Sequence, residues 1–130
     1  MKNMYGYNLV PIYTQEQIRD RVKELGVEIS NKFRDEIPIF IGVLNGSFIF
    51  LADLLRELTI DCEMDFIKLS SYEKTLSTGT VHLLKDISAD ITGRHVIIIE
   101  DIIDSGLTIS FLKNRLEGAI PKSVTTVSLL

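Results

Sequence analysis

The sequence predicts an α/β fold, with a mainly parallel sheet flanked by helices. Two short runs, IPIFIGV at residues 37–43 and VIII at residues 96–99, are continuously apolar and rich in β-branched side chains. Strands of this composition are buried on both faces, as in parallel sheets that helices cover. A segment with helical spacing of apolar residues follows each run, and this alternation indicates helices packed in layers against the sheet.

Three helices are predicted from apolar residues that recur at spacings of three and four. The first covers residues 14–33, and Thr14 with Gln17 has the pattern of a capping box at its start. The second covers residues 47–58 and the third covers residues 107–116. The apolar stripe of the first helix consists of Ile18, Val22, Leu25, Ile29 and Phe33.

The remaining segments are predicted to be strands, a loop and a turn. Apolar and polar residues alternate over residues 60–69, which predicts a strand. Residues 70–80 are polar, so we expect an exposed, mobile loop. Residues 81–85 predict a short strand, residues 86–93 a turn, and residues 123–130 a last strand. The buried face of the 60–69 strand is predicted to carry Ile60, Cys62, Met64 and Phe66.

Length and composition limit the classes of function. The 130 residues predict a single domain of ordinary globular composition. The net charge of −4 argues against a nucleic-acid-binding surface, and the single cysteine fits a reducing compartment. The start of the chain has no apolar leader, and the apolar stretch at residues 39–55 is interrupted by Asn45, Gly46 and Asp53. We therefore expect a cytoplasmic protein that binds neither nucleic acid nor membrane.

Three carboxylates follow the second apolar run. Glu100 and Asp101 come directly after it, and Asp104 follows three positions later. Ligands of open α/β sheets bind beyond the carboxyl ends of the strands, where these acids are predicted to lie. Adjacent carboxylates suit Mg²⁺, which takes one or two of them together with oxygens of a substrate and of water. The pattern therefore predicts a magnesium site.

The segment DSGLT, residues 104–108, predicts a phosphate site beside these acids. A turn of small residues that opens a helix presents several backbone N–H groups to one anion, and the helix dipole favours that anion. A phosphate next to a metal suggests a phosphorylated sugar or a nucleotide. The alternative is that Asp104 only caps the helix, with Glu100 and Asp101 as a solvated strand end.

A second junction of the same kind is GVLNGS, residues 42–47. Asn45 and Gly46 follow a buried strand there and precede a helix, so their backbone N–H groups are candidates to bind a second anion. An ordinary βα turn explains this junction equally well when it is judged alone.

These segments resemble a known family. VIIIEDIIDSGLT resembles the phosphoribosyl pyrophosphate (PRPP) signature of the purine phosphoribosyltransferases, and GVLNGSFIFLADLLREL, DFIKLSSY and STGTV resemble, in the same order, segments of the hypoxanthine–guanine branch. The resemblance implies a type I phosphoribosyltransferase fold and a homo-oligomer, either a dimer or a tetramer. It also implies a purine-salvage activity, the Mg²⁺-dependent transfer of the 5-phosphoribosyl group from PRPP to N9 of hypoxanthine or guanine with release of pyrophosphate.

The resemblance assigns roles around the acidic segment. Glu100 and Asp101 match the acidic pair that faces the ribose hydroxyls and the metal. Asp104 matches the acid near the purine N7 that is proposed as general base or proton relay. The loop whose amides hold the 5′-phosphate is matched by Ser105, Gly106, Leu107 and Thr108.

Two further segments are assigned in the same way. Leu44, Asn45 and Gly46 match the pyrophosphate loop, which in relatives contains a cis peptide bond that does not involve proline. Ser71 and Tyr72 match the start of a flexible loop that closes over the active site.

The chain departs from the family pattern in two places. Leu107 replaces a lysine that many relatives carry, and we expect the change to be tolerated because the backbone amide makes the contact. Family members continue beyond the last strand with a segment that selects the base, so we expect a C-terminally truncated chain that holds the PRPP half of the site. The alternative function is a non-catalytic regulator that binds PRPP or nucleotides on the same fold.

Overall fold

A computed structural model describes residues 2–4, 7–9, 12–70, 82–103 and 106–130. Its first two strands pair antiparallel as a separate two-stranded sheet, which the sequence analysis did not predict. The other elements agree in type and order with the prediction, and most boundaries agree within two residues. In chain order the elements are β1 (Lys2–Met4), β2 (Tyr7–Leu9), α1 (Gln15–Lys32), β3 (Ile39–Leu44), α2 (Phe48–Glu57), β4 (Glu63–Leu69), β5 (Leu83–Lys85), β6 (His95–Glu100), α3 (Leu107–Glu117) and β7 (Ser123–Ser128).

The main sheet has five strands in the order β5-β4-β3-β6-β7. Strand β3 is parallel to β4 and to β6, and β6 is parallel to β7, whereas β5 pairs antiparallel with β4 at the sheet edge. The prediction of a mainly parallel sheet is therefore confirmed. No helix within the described ranges is long and apolar enough to cross a membrane.

The central strands β3 and β6 are buried on both faces. Phe40 and Ile97 belong to an apolar cluster formed with α1 and α2, whereas Ile41 and Ile98 belong to a second cluster that includes Leu112 of α3. All five side chains are fully buried. This double burial explains why residues 39–43 of β3 and 96–99 of β6 carry no polar side chain, since an unpaired polar group in either cluster would cost free energy.

The predicted capping box of α1 is present. The Thr14 hydroxyl accepts a hydrogen bond from Gln17 N–H (3.1 Å), and Thr14 N–H donates to Gln17 Oε1 (2.8 Å). Both bonds satisfy N–H groups that the first turn of a helix leaves without partners.

Strand β4 departs from the prediction in two respects. It begins at Glu63, three residues later than predicted, although Ile60 and Cys62 still pack against the first cluster. Met64 is exposed rather than buried. Strand β5 pairs only with the carboxyl-terminal end of β4, so the part of β4 around Met64 lies at the edge of the sheet.

Asp65 of β4 holds the connection between β5 and β6. Its Oδ2 accepts hydrogen bonds from the backbone N–H groups of Ser88 (2.7 Å) and Ala89 (2.9 Å). Its Oδ1 accepts from the N–H of Phe66 (2.7 Å) and lies 3.6 Å from Lys85 Nζ. Burial opposes ionisation, but these N–H donors and the Lys85 charge together hold the pKa of Asp65 below its ordinary value.

We expect Asp65→Asn to lower the free energy of unfolding by about 2 kcal/mol at pH 7, because bonds to a charged acceptor are lost. The pKa of Asp65 is lower in the folded than in the unfolded chain, so its stabilisation is present above the unfolded pKa, about 4, and is lost as the pH falls through the folded pKa. The two stabilities should therefore converge in acid. Urea unfolding between pH 7 and about pH 2.5 measures this, with the exposed Asp61→Asn as control; a constant difference would contradict the role of the charge.

Helices α1 and α2 approach each other closely at Gly26. A Cβ atom built on this buried glycine would lie 2.7 Å from the Cβ of Glu57 and 3.0 Å from the Glu57 carbonyl oxygen. Backbone and Cβ atoms cannot yield as the end of a flexible side chain can, so any larger residue at this position must separate the two helices.

We expect Gly26→Ala to destabilise the fold by about 1–3 kcal/mol, because overpacking outweighs the roughly 1 kcal/mol that alanine gains over glycine within a helix. Val27→Ala, at the neighbouring exposed position of α1, serves as the control and should change stability little. Urea unfolding of the three proteins provides the measurement. An alanine at position 26 that stabilises the chain would show that the helices do not pack this closely.

Candidate functional site

The carboxyl ends of β3 and β6 lie side by side because the two strands are parallel neighbours. Gly42 pairs with Ile99, so the loops that follow Leu44 and Glu100 leave the sheet at the same edge. We refer to residues 44–47 as the cis loop and to residues 100–103 as the acidic turn. The fold thus brings together two segments that are far apart in the sequence.

Backbone N–H groups of the acidic turn donate hydrogen bonds to the carboxylates of the same turn. Asp101 N–H donates to Glu100 Oε1 (3.2 Å), and Ile102 N–H donates to Asp101 Oδ1 (2.8 Å). Burial and the neighbouring Asp101 carboxylate raise the pKa of Glu100 to about 7, against a smaller opposing effect of the Asp101 N–H. At neutral pH the Glu100 carboxyl is therefore only about half ionised.

A buried serine, Ser47, anchors the cis loop to the end of β3. The peptide bond between Leu44 and Asn45 is cis, as the family resemblance implied. Ser47 is fully buried, and both its hydroxyl (2.7 Å) and its backbone N–H (3.2 Å) donate to the carbonyl oxygen of Val43. Asn45 and Gly46 remain exposed to solvent.

The two segments touch at Gly46. A Cβ atom built on Gly46 would lie 2.9 Å and 3.0 Å from the two carboxylate oxygens of Asp101. The Asp101 carboxylate therefore lies directly against the backbone of the cis loop. Of the residues predicted for the site, the structure brings Gly46 into contact with Asp101 and places Glu100 next to Asp101 in the same turn.

The start of α3 has the glycine that the sequence motif predicted to lie in a turn. Gly106 is the N-cap residue, with a φ of +79° in the left-handed region that favours glycine, and its carbonyl accepts a hydrogen bond from Ser110 N–H (3.0 Å). Leu107 is the first residue of the helix, and Thr108 lies half-buried in its first turn. Gly106 is therefore the N-cap residue of α3, whereas the alternative interpretation concerned Asp104, which lies outside the described residues.

Four predicted site residues lie outside the described part of the chain. They are Ser71, Tyr72, Asp104 and Ser105. Their roles stay predictions.

The last residues of the chain support the acidic turn, which the sequence analysis missed. Leu130 N–H donates to the Asp101 carbonyl (3.1 Å), and Ile103 N–H donates to the Leu130 carbonyl (3.4 Å). The Ser128 hydroxyl donates to the same Leu130 carbonyl (2.6 Å). The feature that could have indicated this support is the parallel pairing of β6 with β7, which places Ser128 in register with Glu100.

The acidic turn has the donor set of a magnesium site. Glu100 and Asp101 supply two adjacent, half-buried carboxylates, and within the described ranges no group of three or more acidic, histidine or cysteine side chains is present. Mg²⁺ usually takes one or two carboxylates and completes its shell with ligand oxygens and water. A divalent cation would also offset the repulsion between the two carboxylates. The residues present fit this ion.

We expect Glu100→Gln to make the chain less sensitive to pH. The pKa of Glu100 is about 7 in the folded chain and near its ordinary 4.5 when unfolded, so wild-type stability should fall as the pH rises through this interval. Glutamine cannot ionise, so the variant should lose less stability than the wild type between pH 4.5 and pH 8. Thermal unfolding in metal-free buffer measures this, with Glu117→Gln in α3 as control. Parallel curves for wild type and Glu100→Gln would contradict a raised pKa of Glu100.

Comparisons with known proteins agree with this geometry. Residues 11–130 match the phosphoribosyl transferase domain model. The hypoxanthine-guanine phosphoribosyltransferase of Bacillus subtilis (strain 168) is 43% identical over 120 residues, which are 92% of this chain and 67% of that protein. The hypoxanthine-guanine-xanthine phosphoribosyltransferase of Tritrichomonas foetus is 42% identical over 118 residues, or 91% of this chain and 64% of that protein.

Solved structures give the same result. The crystal structure of a hypoxanthine-guanine phosphoribosyltransferase from Bacillus anthracis str. 'Ames Ancestor' superposes with a TM-score of 0.84 at 47% identity, and the match covers 90% of this chain and 70% of that one. The chain thus spans about two thirds of the length of the relatives that it matches. It belongs to the phosphoribosyltransferase family of enzymes, in the hypoxanthine–guanine branch.

Proposed function

We propose that this chain binds PRPP together with Mg²⁺ at the edge formed by the cis loop and the acidic turn. In the complete protein, this site serves the transfer of the 5-phosphoribosyl group to N9 of hypoxanthine, guanine or both, giving IMP or GMP and pyrophosphate. The observation that carries the proposal is the contact of Gly46 with the Asp101 carboxylate. It joins the segment proposed for pyrophosphate to the segment proposed for ribose and metal.

The proposed chemistry separates a sugar cation from an anionic leaving group. Departure of pyrophosphate builds positive charge on the ribose, and the carboxylates of Glu100 and Asp101 are proposed to stabilise that charge. Mg²⁺, held by the same two residues, would neutralise part of the pyrophosphate charge. Backbone N–H groups of the cis loop are proposed to bind the pyrophosphate, which suits the exposure of Asn45 and Gly46.

The remaining roles rest on the family resemblance. The amides of residues 105–108 are proposed to bind the 5′-phosphate at the start of α3, where the helix dipole favours an anion. Asp104 is proposed to take the proton of the purine ring as general base or relay. Ser71 and Tyr72 are proposed to begin a loop that excludes water from PRPP.

Cellular context and assembly belong to the same proposal. The family resemblance implies an enzyme of purine salvage that forms a homodimer or a homotetramer, and the single cysteine fits the cytoplasm. Both statements stay predictions.

Calorimetric titration with PRPP tests the binding site. We expect binding that requires Mg²⁺ and that weakens by roughly 100-fold in Glu100→Ala/Asp101→Ala, because two charge-assisted contacts are removed. The exposed pair Glu16→Ala/Glu117→Ala changes the net charge equally and should bind as the wild type does. A folded wild-type chain that fails to bind PRPP would contradict the proposal. Binding without IMP formation by the complete protein from PRPP and hypoxanthine would favour the non-catalytic regulator.

A further inference from the structure

We infer that Gly46 is a positioning residue for Asp101. Because glycine has no side chain, the Asp101 carboxylate has room to lie against the backbone of the cis loop. The cis loop and the acidic turn therefore form one ligand-binding unit. The identity of the ligand rests on the function proposed above, whereas the geometry rests on the contact between Gly46 and Asp101.

The cis loop cannot withdraw from this contact. Ser47 is fully buried, and its hydroxyl and backbone N–H both donate to the carbonyl of Val43. The Ser47 carbonyl in turn accepts the first hydrogen bond of α2, from Leu51 N–H (2.8 Å). A movement of the cis loop that carried Ser47 with it would break these bonds at a fully buried position, where no solvent replaces them.

The backbone of the acidic turn is also held in place. Leu130 N–H donates to the Asp101 carbonyl (3.1 Å), and Ile103 N–H donates to the carbonyl of Leu130 (3.4 Å). Strand β6, which precedes the turn, pairs with β7 up to Glu100. With both backbones fixed, a methyl group at position 46 must displace the Asp101 carboxylate, which is the end of a flexible side chain.

Displacement of this carboxylate would change one hydrogen bond in the acidic turn and the proposed ligand site. Asp101 Oδ1 accepts the hydrogen bond of Ile102 N–H at 2.8 Å, and a displaced carboxylate loses it. The carboxylate also moves away from the position beside Glu100 at which the pair is proposed to bind Mg²⁺ and ribose. Gly46→Ala should therefore act on the ligand through Asp101, although no ligating group has been removed.

The test uses four variants: Gly46→Ala, Asp101→Ala, the double variant, and Gly42→Ala as a matched control. Gly42 lies on β3, four residues before Gly46, and a Cβ there would meet the ring of Phe66 (2.9 Å) and the side chain of Leu51 (3.0 Å). Its replacement therefore crowds the apolar core and not the Asp101 carboxylate. Thermal unfolding establishes that each variant is folded under the conditions of measurement.

The first readout needs no ligand. In ¹H–¹⁵N spectra, the Ile102 amide resonance should move in Gly46→Ala in the same direction as in Asp101→Ala, because both changes remove its acceptor. It should stay near its wild-type position in Gly42→Ala. An unmoved Ile102 resonance in Gly46→Ala would overturn the inference, whether or not the chain binds PRPP.

The second readout is the affinity for PRPP with Mg²⁺ across the same variants. Gly46→Ala should weaken binding about tenfold in the wild-type background and less than about twofold when Asp101 is already alanine, since contacting residues are coupled and distant ones are additive. Gly42→Ala should be additive with Asp101→Ala. If the effects of Gly46→Ala and Asp101→Ala are additive, the inference is overturned and the proposed function stays intact. If the folded wild type does not bind PRPP, the proposed function is contradicted. In that case the Ile102 resonance still decides whether Gly46 positions Asp101.

Discussion

The parallel pairing of β3 with β6 is the interaction on which the rest of this structure depends. Both strands are covered on both faces by apolar clusters, so their buried segments, residues 39–43 and 96–99, carry no polar side chain. Polar and charged residues therefore begin where the strands leave the core, and parallel pairing brings these two points to the same edge. The cis loop and the acidic turn are neighbours because of this pairing, even though many residues separate them in the chain.

The site that results opposes the ionisation of Glu100. Burial and the adjacent Asp101 raise the pKa of Glu100 to about 7, so ionisation of Glu100 costs more free energy here than it does in water. Such a cost is tolerated where a cationic ligand can offset it, and perturbed carboxylates are typical of functional sites for that reason. Asp65 shows the opposite case, because its N–H donors and Lys85 favour the ionised form and give it a structural role.

Elements defined by local pattern were predictable from the sequence. The capping box of Thr14 and Gln17, the two buried runs and the glycine at position 106 all depend on residues close together in the chain. The β1–β2 pair was missed because three-residue strands show no clear alternation. The exposure of Met64 depends on how far the neighbouring strand extends, and the contact of Gly46 with Asp101 depends on the register of two distant strands, which no local pattern encodes.

The hydrogen bonds between Leu130 and the acidic turn have a consequence for local stability. Edge strands such as β7 open more readily than central strands, and opening of its last residues would release the Asp101 carbonyl and the Ile103 N–H together. A ligand that binds only the closed acidic turn would draw this equilibrium toward the closed form by mass action. Ligand binding at the carboxyl end of β6 would then slow hydrogen exchange at the end of β7, through the hydrogen bonds of Leu130.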